Sequence, residues 1–163
     1  YLRLEMPGHA YRSLDSTFPF TFDYSAYSRI EQGRFTQSRP NWFNLVYPRF
    51  DATFHFSYKD LDKTSLYELR NDAHEMAFKH APKAIGIREL AIDDPKRNVY
   101  GLVYIIEGRD VASPFQFFVT DSTGHFLRGA LYFNLRPNND SLRPVIDYMV
   151  SDMEHLIETL RWK

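Results

Sequence analysis

The chain has no cysteine, which excludes disulfide staples and thiolate metal sites together and is compatible with an oxidising envelope compartment. No apolar run approaches the ~20 residues needed to cross a bilayer, and the sequence opens on the strand-like Tyr1–Met6 without a signal peptide. Glycine is scarce: seven residues, none grouped into a loop that could cradle a phosphate. Neither sign of charge prevails, since 20 basic residues meet 21 acidic ones. No global field therefore exists to attract nucleic acid or anionic lipid. Arg34, Arg39 and Arg49 share one N-terminal third but read as scattered surface arginines.

Aromatic residues are abundant instead. Fourteen Phe, eleven Tyr and two Trp in 163 residues exceed what one small core needs. A chain of this length fits one domain, residues 1–163, able to bury a core without staples. Tyr24, Tyr27, Trp42, Tyr47 and Tyr58 are candidate interface anchors, because such rings offer contact area at low entropic cost.

Periodicity places the elements. Leu2, Leu4 and Met6 alternate along Tyr1–Met6. Phe18, Phe20, Phe22 and Tyr24 alternate along the next strand, with Pro19 marking an edge. Ser25–Pro40 reads as a long excursion with a helical turn around Tyr27–Glu31. Two strands follow, Asn41–Tyr47 and Phe50–Tyr58. In the second, Phe50, Ala52, Phe54, Phe56 and Tyr58 face one way while Asp51, Thr53, His55 and Ser57 face the other.

A helix capped by Asp62 or Thr64 runs to about His80, with Leu66, Leu69, Ala73 and Met76 or Ala77 on its apolar stripe. Lys83–Ile92 is a strand anchored by Ile85, Ile87 and Leu90. Asn98–Glu107 is apolar on both faces and is expected to be central. Pro114–Asp121 and His125–Asn134 complete a meander around a Ser122-Thr123-Gly124 turn, where Gly124 would supply positive φ. A last helix starts near Asp140 or Ser141, tolerates Pro144 in its first turn, and carries Leu142, Val145, Met149, Met153, Leu156 and Leu160 on one stripe. These elements predict an α+β domain, an antiparallel sheet of about six to eight strands with helices packed on it. The element order is similar to the PsbP-like α–β–α sandwiches.

Chemical signatures are weak. His74 and His80 lie six apart, which turns the second ring ~120° from the first on a helix and defeats a zinc-helix motif. The other histidines, His9, His55, His125 and His155, show no ligand spacing. Asp121, Ser122, Thr123, His125 and Arg128 form the best polar cluster. Neighbours in a tight turn rarely converge on one substrate atom, so turn chemistry outweighs a Ser–His nucleophile. As a binding surface the cluster is better placed, together with Trp42 and Tyr47. Asp15-Ser16-Thr17 echoes Asp121-Ser122-Thr123 and could lie at the same sheet end. No residues for a cofactor or metal stand out.

The wording of several segments is more particular than composition. Thr120–Asn134 (TDSTGHFLRGALYFN), Asp15–Tyr24 (DSTFPFTFDY), Trp42-Phe43-Asn44, Pro48-Arg49-Phe50, Ala77–His80 and Asn98–Leu102, followed by the C-terminal helix, together resemble the gliding-motility lipoprotein GldD family of Bacteroidota over nearly the whole chain. The resemblance implies an envelope lipoprotein required for gliding motility and type IX protein secretion, lipid-anchored and periplasm-facing, with machinery proteins as partners; the missing catalytic signatures point to a non-catalytic assembly or stabilising factor that works by protein binding. It also implies a cleaved leader and a lipidated cysteine upstream, absent from this sequence. Two alternatives remain open: a small-ligand domain for a cell-wall or lipid fragment held between sheet and helix, and a hydrolase built on the 121–128 cluster.

Overall fold

The computed structural model describes residues 6–32, 39, 41–61, 65–79, 81–108, 111–134 and 143–163. The alternating aromatic segments form an antiparallel sheet. Its strands are β4 (Arg29–Glu31), β5 (Phe43–Tyr47), β6 (Ala52–Asp60), β7 (Gly86–Asp94), β8 (Val99–Glu107), β9 (Phe115–Thr120) and β10 (His125–Phe133), in the spatial order β4-β5-β6-β10-β9-β8-β7. Two further pairs flank it: β1 (Tyr11–Ser13) with β3 (Asp23–Ser25), and β2 (Phe20–Thr21) with the last strand, β11 (Arg161–Trp162).

Helix α1 (Leu66–Phe78) covers one face of the sheet through Leu69, Ala73 and Ala77, which pack with Tyr104, Ile106, Phe118 and Phe126. Helix α2 (Arg143–Thr159) covers the other. There Met149, Met153 and Leu156 join Phe43, Phe54, Phe56, Phe115 and Phe117 in the larger core. Strand β9, covered on both sides, is buried at all six positions. Each phenylalanine taken fully from water contributes about 2–3 kcal/mol before entropy is counted, so Phe18, Phe20 and Phe22, which lie 5.0, 6.0 and 6.0 Å from the Phe43 ring, anchor the N-terminal segment to the sheet.

The α+β sandwich is as expected, and the alternation of β6 holds in part: Ala52, Phe54, Phe56 and Tyr58 are buried and Asp51 and His55 exposed, but on that second face Thr53 is buried and Ser57 half-buried. Several details differ. Arg29–Glu31 is an edge strand paired with β5, where a helical turn was expected, because Ile30 turns inward against the core opposite Leu45. Phe50 ends a short 3-10 turn. Strand β8 is second from the edge, not central; its two apolar faces are covered by the two helices. Ile85 and Leu90 are exposed, so only Ile87 of the three expected anchors packs inward. Ser65 caps α1, its hydroxyl accepting from the Glu68 amide at 3.1 Å. Asp62, Thr64, His80, Asp140, Ser141 and Leu142, with the strand expected at residues 1–5, lie outside the described residues.

Candidate functional site

The β9–β10 turn is built by Asp121. Its Oδ1 accepts the backbone amides of Thr123 (3.1 Å), Gly124 (2.9 Å) and His125 (2.9 Å). Burial opposes ionisation, but these amides and the nearby His125 outweigh it and hold the carboxyl below its ordinary range. The left-handed residue is Ser122 (φ 71°), and Gly124 has negative φ. With Asp121 already drawing three amides inward, the chain reverses two positions earlier than glycine placement suggested.

A chain of aromatic contacts leads away from this turn. The Tyr58 hydroxyl donates to Asp60 Oδ1 (3.1 Å) and meets His125 Nδ1 at 2.6 Å. That phenol has one proton to give, so His125 donates from Nδ1. The opposite nitrogen, Nε2, lies 3.9 Å from Asp121 Oδ2. The His125 ring stacks on Trp162 at 4.9 Å, 3° from parallel, and Trp162 Nε1 donates to the Asn98 carbonyl. On the other side of Tyr58, its carbonyl accepts from Trp42 Nε1 at 2.8 Å. Arg39 lies 4.5 Å and Lys59 5.2 Å from the Trp42 ring centroid, both within cation–π range. Trp42 and Trp162 are each half-buried.

The first Asp-Ser-Thr segment is tied to the C-terminal strand. Lys163 donates from Nζ to the Ser16 carbonyl, one residue beyond the tryptophan that stacks on His125. Trp42, Asp121, Ser122, Thr123 and His125 are thus gathered by Tyr58 and the C-terminal strand. Arg128 stands apart, three residues along β10, bonded through Nη2 to Gln116 Oε1. Burial lowers its pKa from the ordinary arginine value.

Tyr47 is corrected outright. It is fully buried, because β5 turns Phe43, Leu45 and Tyr47 toward the core. Its hydroxyl donates to Asp152 Oδ2 at 2.8 Å. Asp152 is itself a buried carboxylate on α2, and His9 Nδ1 sits 2.8 Å from its other oxygen. Around this pair runs a stack of near-parallel rings, Tyr148–His9 (4.4 Å), His9–Tyr11 (6.2 Å) and Tyr11–His155 (3.7 Å). His155 in turn meets Asp23 Oδ2 at 3.1 Å. The network fastens β1 and β3 to α2. The sequence carried one signal for it, an aspartate on the otherwise apolar side of the last helix.

No hydrogen bond among the described residues joins Ser122 or Thr123 to His125, whose two nitrogens face Tyr58 and Asp121. The nucleophile arrangement is therefore not assembled. His74 stacks on Phe78 at 4.2 Å and faces Glu89 at 3.6 Å. Among the described residues no set of three potential ligands could hold a metal ion, and no helix is long and apolar enough to cross a membrane.

No curated protein matches the chain. Among solved structures, the solution structure of cyanobacterial PsbP (CyanoP) from Synechocystis sp. PCC 6803 is similar at a TM-score of 0.51 and 10% identity, over 99% of this chain and 98% of that one. At that identity the likeness is one of fold, and it is the PsbP-like sandwich read from the element order. The family described as gliding motility lipoprotein GldD matches residues 1–162. Its members are lipid-anchored envelope proteins that serve gliding motility, and the chain belongs to that family.

Proposed function

We propose that residues 1–163 act as one domain, a non-catalytic factor that assembles or stabilises the gliding and type IX secretion machinery by binding its proteins. In this reading a lipid anchor holds the domain facing the periplasm. The binding surface is the sheet end that carries Trp42, Asp121, Ser122, Thr123, His125 and Trp162. The observation that carries it is the continuous Trp42–Tyr58–His125–Trp162 chain, which holds two half-buried tryptophans rigidly at one end. Rigid, partly exposed tryptophans flanked by cations are the residues that dominate binding energy at interfaces. Arg128 belongs to a second rank, since it lies along the sheet away from this end.

The test is a crosslinking pull-down from cells carrying the full-length anchored protein, read by mass spectrometry. Machinery components are recovered with the unaltered protein and lost with Trp42→Ala and Trp162→Ala. Equal recovery from both variants would remove this surface from consideration.

A further inference from the structure

The two edges of the sheet are unlike. Strand β4 is three residues long. Strand β7, at the other end, runs nine residues and pairs with β8 without interruption from Gly86–Glu107 to Asp94–Val99. No bulge turns this edge away and no proline interrupts it. Its outer row of N–H and C=O groups is unmatched among the described residues. Natural sheets ordinarily blunt such an edge, because it is a template for another strand.

The two faces of β7 differ in chemistry as well. On the α2 side, Leu90 borders a groove of about 630 Å³ with Ile105, Ile146 and Val150, and Leu90 is 48% exposed. The arginines beside it are engaged, Arg88 with Glu107 at 3.2 Å and Arg143 with Asp147 at 3.5 Å. On the α1 side the register sets Glu89 opposite Tyr104 and Asp93 opposite Tyr100. These exposed carboxylates flank the small Ala91; His74 Nδ1 lies 3.6 Å from Glu89, and Arg70 of α1 lines the hollow that Ala91 borders.

We propose that the β7 edge receives an extended segment of another protein, which adds as an eighth strand. Its alternate apolar side chains enter the groove beside Leu90, and the intervening side chains are basic and face Glu89 and Asp93. The main-chain row requires a strand, and the period of two sends one residue class to each face. A second copy of this chain fits poorly, since it would bring the same two carboxylates onto the same face. This surface is separate from the tryptophan end, and either can fail without the other.

The probe is a short blocked peptide alternating valine with lysine, titrated into the isotope-labelled chain and followed by amide chemical shifts. Shifts are expected along β7 and at the groove residues. Affinity should fall about tenfold or more, the scale of one lost anchor, for Leu90→Lys and separately for Glu89→Lys with Asp93→Lys. All three positions are exposed, and an unchanged melting curve verifies folding. N-methylation of the peptide's pairing amides should abolish binding, and Trp42→Ala should leave it unaltered. Shifts elsewhere, none up to millimolar peptide, indifference to N-methylation, or dimerisation of the chain through β7 would each overturn the proposal.

Discussion

The Tyr47 hydroxyl lies 2.8 Å from Asp152 Oδ2, deep between the sheet and the C-terminal helix. Both groups are buried, and while His9 meets Asp152 Oδ1, Tyr47 is the donor at Oδ2 where water cannot take its place. Tyr47→Phe is expected to cost about 1–3 kcal/mol, the range for stranding a buried partner. Urea denaturation measures it. An unchanged midpoint would mean the pair contributes nothing net, and Asp152→Asn distinguishes a lost charge from a lost acceptor.

The same neighbourhood fixes an alkaline limit. Burial, then the Asp152 charge, pushes the Tyr11 phenol from 10.0 up to about 12, and Tyr47 and Tyr148 shift upward for the same two reasons. A raised phenol keeps its proton in the folded chain after the unfolded chain has released it. The stabilisation is therefore complete below pH 10 and lost as pH climbs toward 12. Ultraviolet titration should find late-ionising tyrosines, and thermal stability should drop across that window. Ordinary titration of all tyrosines would contradict the buried network.

Gly101 admits no side chain. A Cβ there would meet the Phe118 carbonyl oxygen at 1.9 Å, where β8 runs against β9. Backbone cannot rotate aside as a side chain can, so Gly101→Ala is expected to cost about 3 kcal/mol. Gly129 is a milder case, since its nearest neighbours are the Phe117 and Phe56 rings. Paired chemical denaturation of the two alanine variants gives the ranking, and it would be refuted if Gly129→Ala proved the worse.

At the β9–β10 turn the strained residue is Ser122, with φ 71°. Ser122→Gly should stabilise by about 0.5–1 kcal/mol. Asp121→Ala, which strands three amides, should destabilise by about 1–2 kcal/mol. The Asp121 carboxyl is depressed below 3.8, so its contribution is present above that pH and vanishes as pH falls below it. The penalty for Asp121→Ala should accordingly shrink in strong acid, which melting curves across pH will test.

The sandwich was legible because strand and helix periods are local properties. Phe54, Phe56 and Tyr58 declare one face of β6 without knowledge of any partner. Position within the sheet is not local. The apolar faces of Val99–Glu107 suggest a central strand, yet two helices cover it equally well one place from the edge. Tyr47 shows the same limit at the candidate site. An aromatic at a strand end looks alike whether it meets solvent or Asp152, more than a hundred residues away in sequence. The turn at Asp121 was readable, since its hydrogen bonds stay within four residues. The stack of Trp162 on His125 was not, because only the folded C-terminus brings those rings together.

Strand β11 pairs Trp162 with Phe20, and the Lys163 amide donates to the Pro19 carbonyl. The first aromatic strand thus waits for the last residues of the sequence before its ladder can close. A polypeptide emerging in order from a ribosome cannot complete this ladder until residues 161–163 have followed. Closure over so long a stretch of chain makes this pairing a late event in folding.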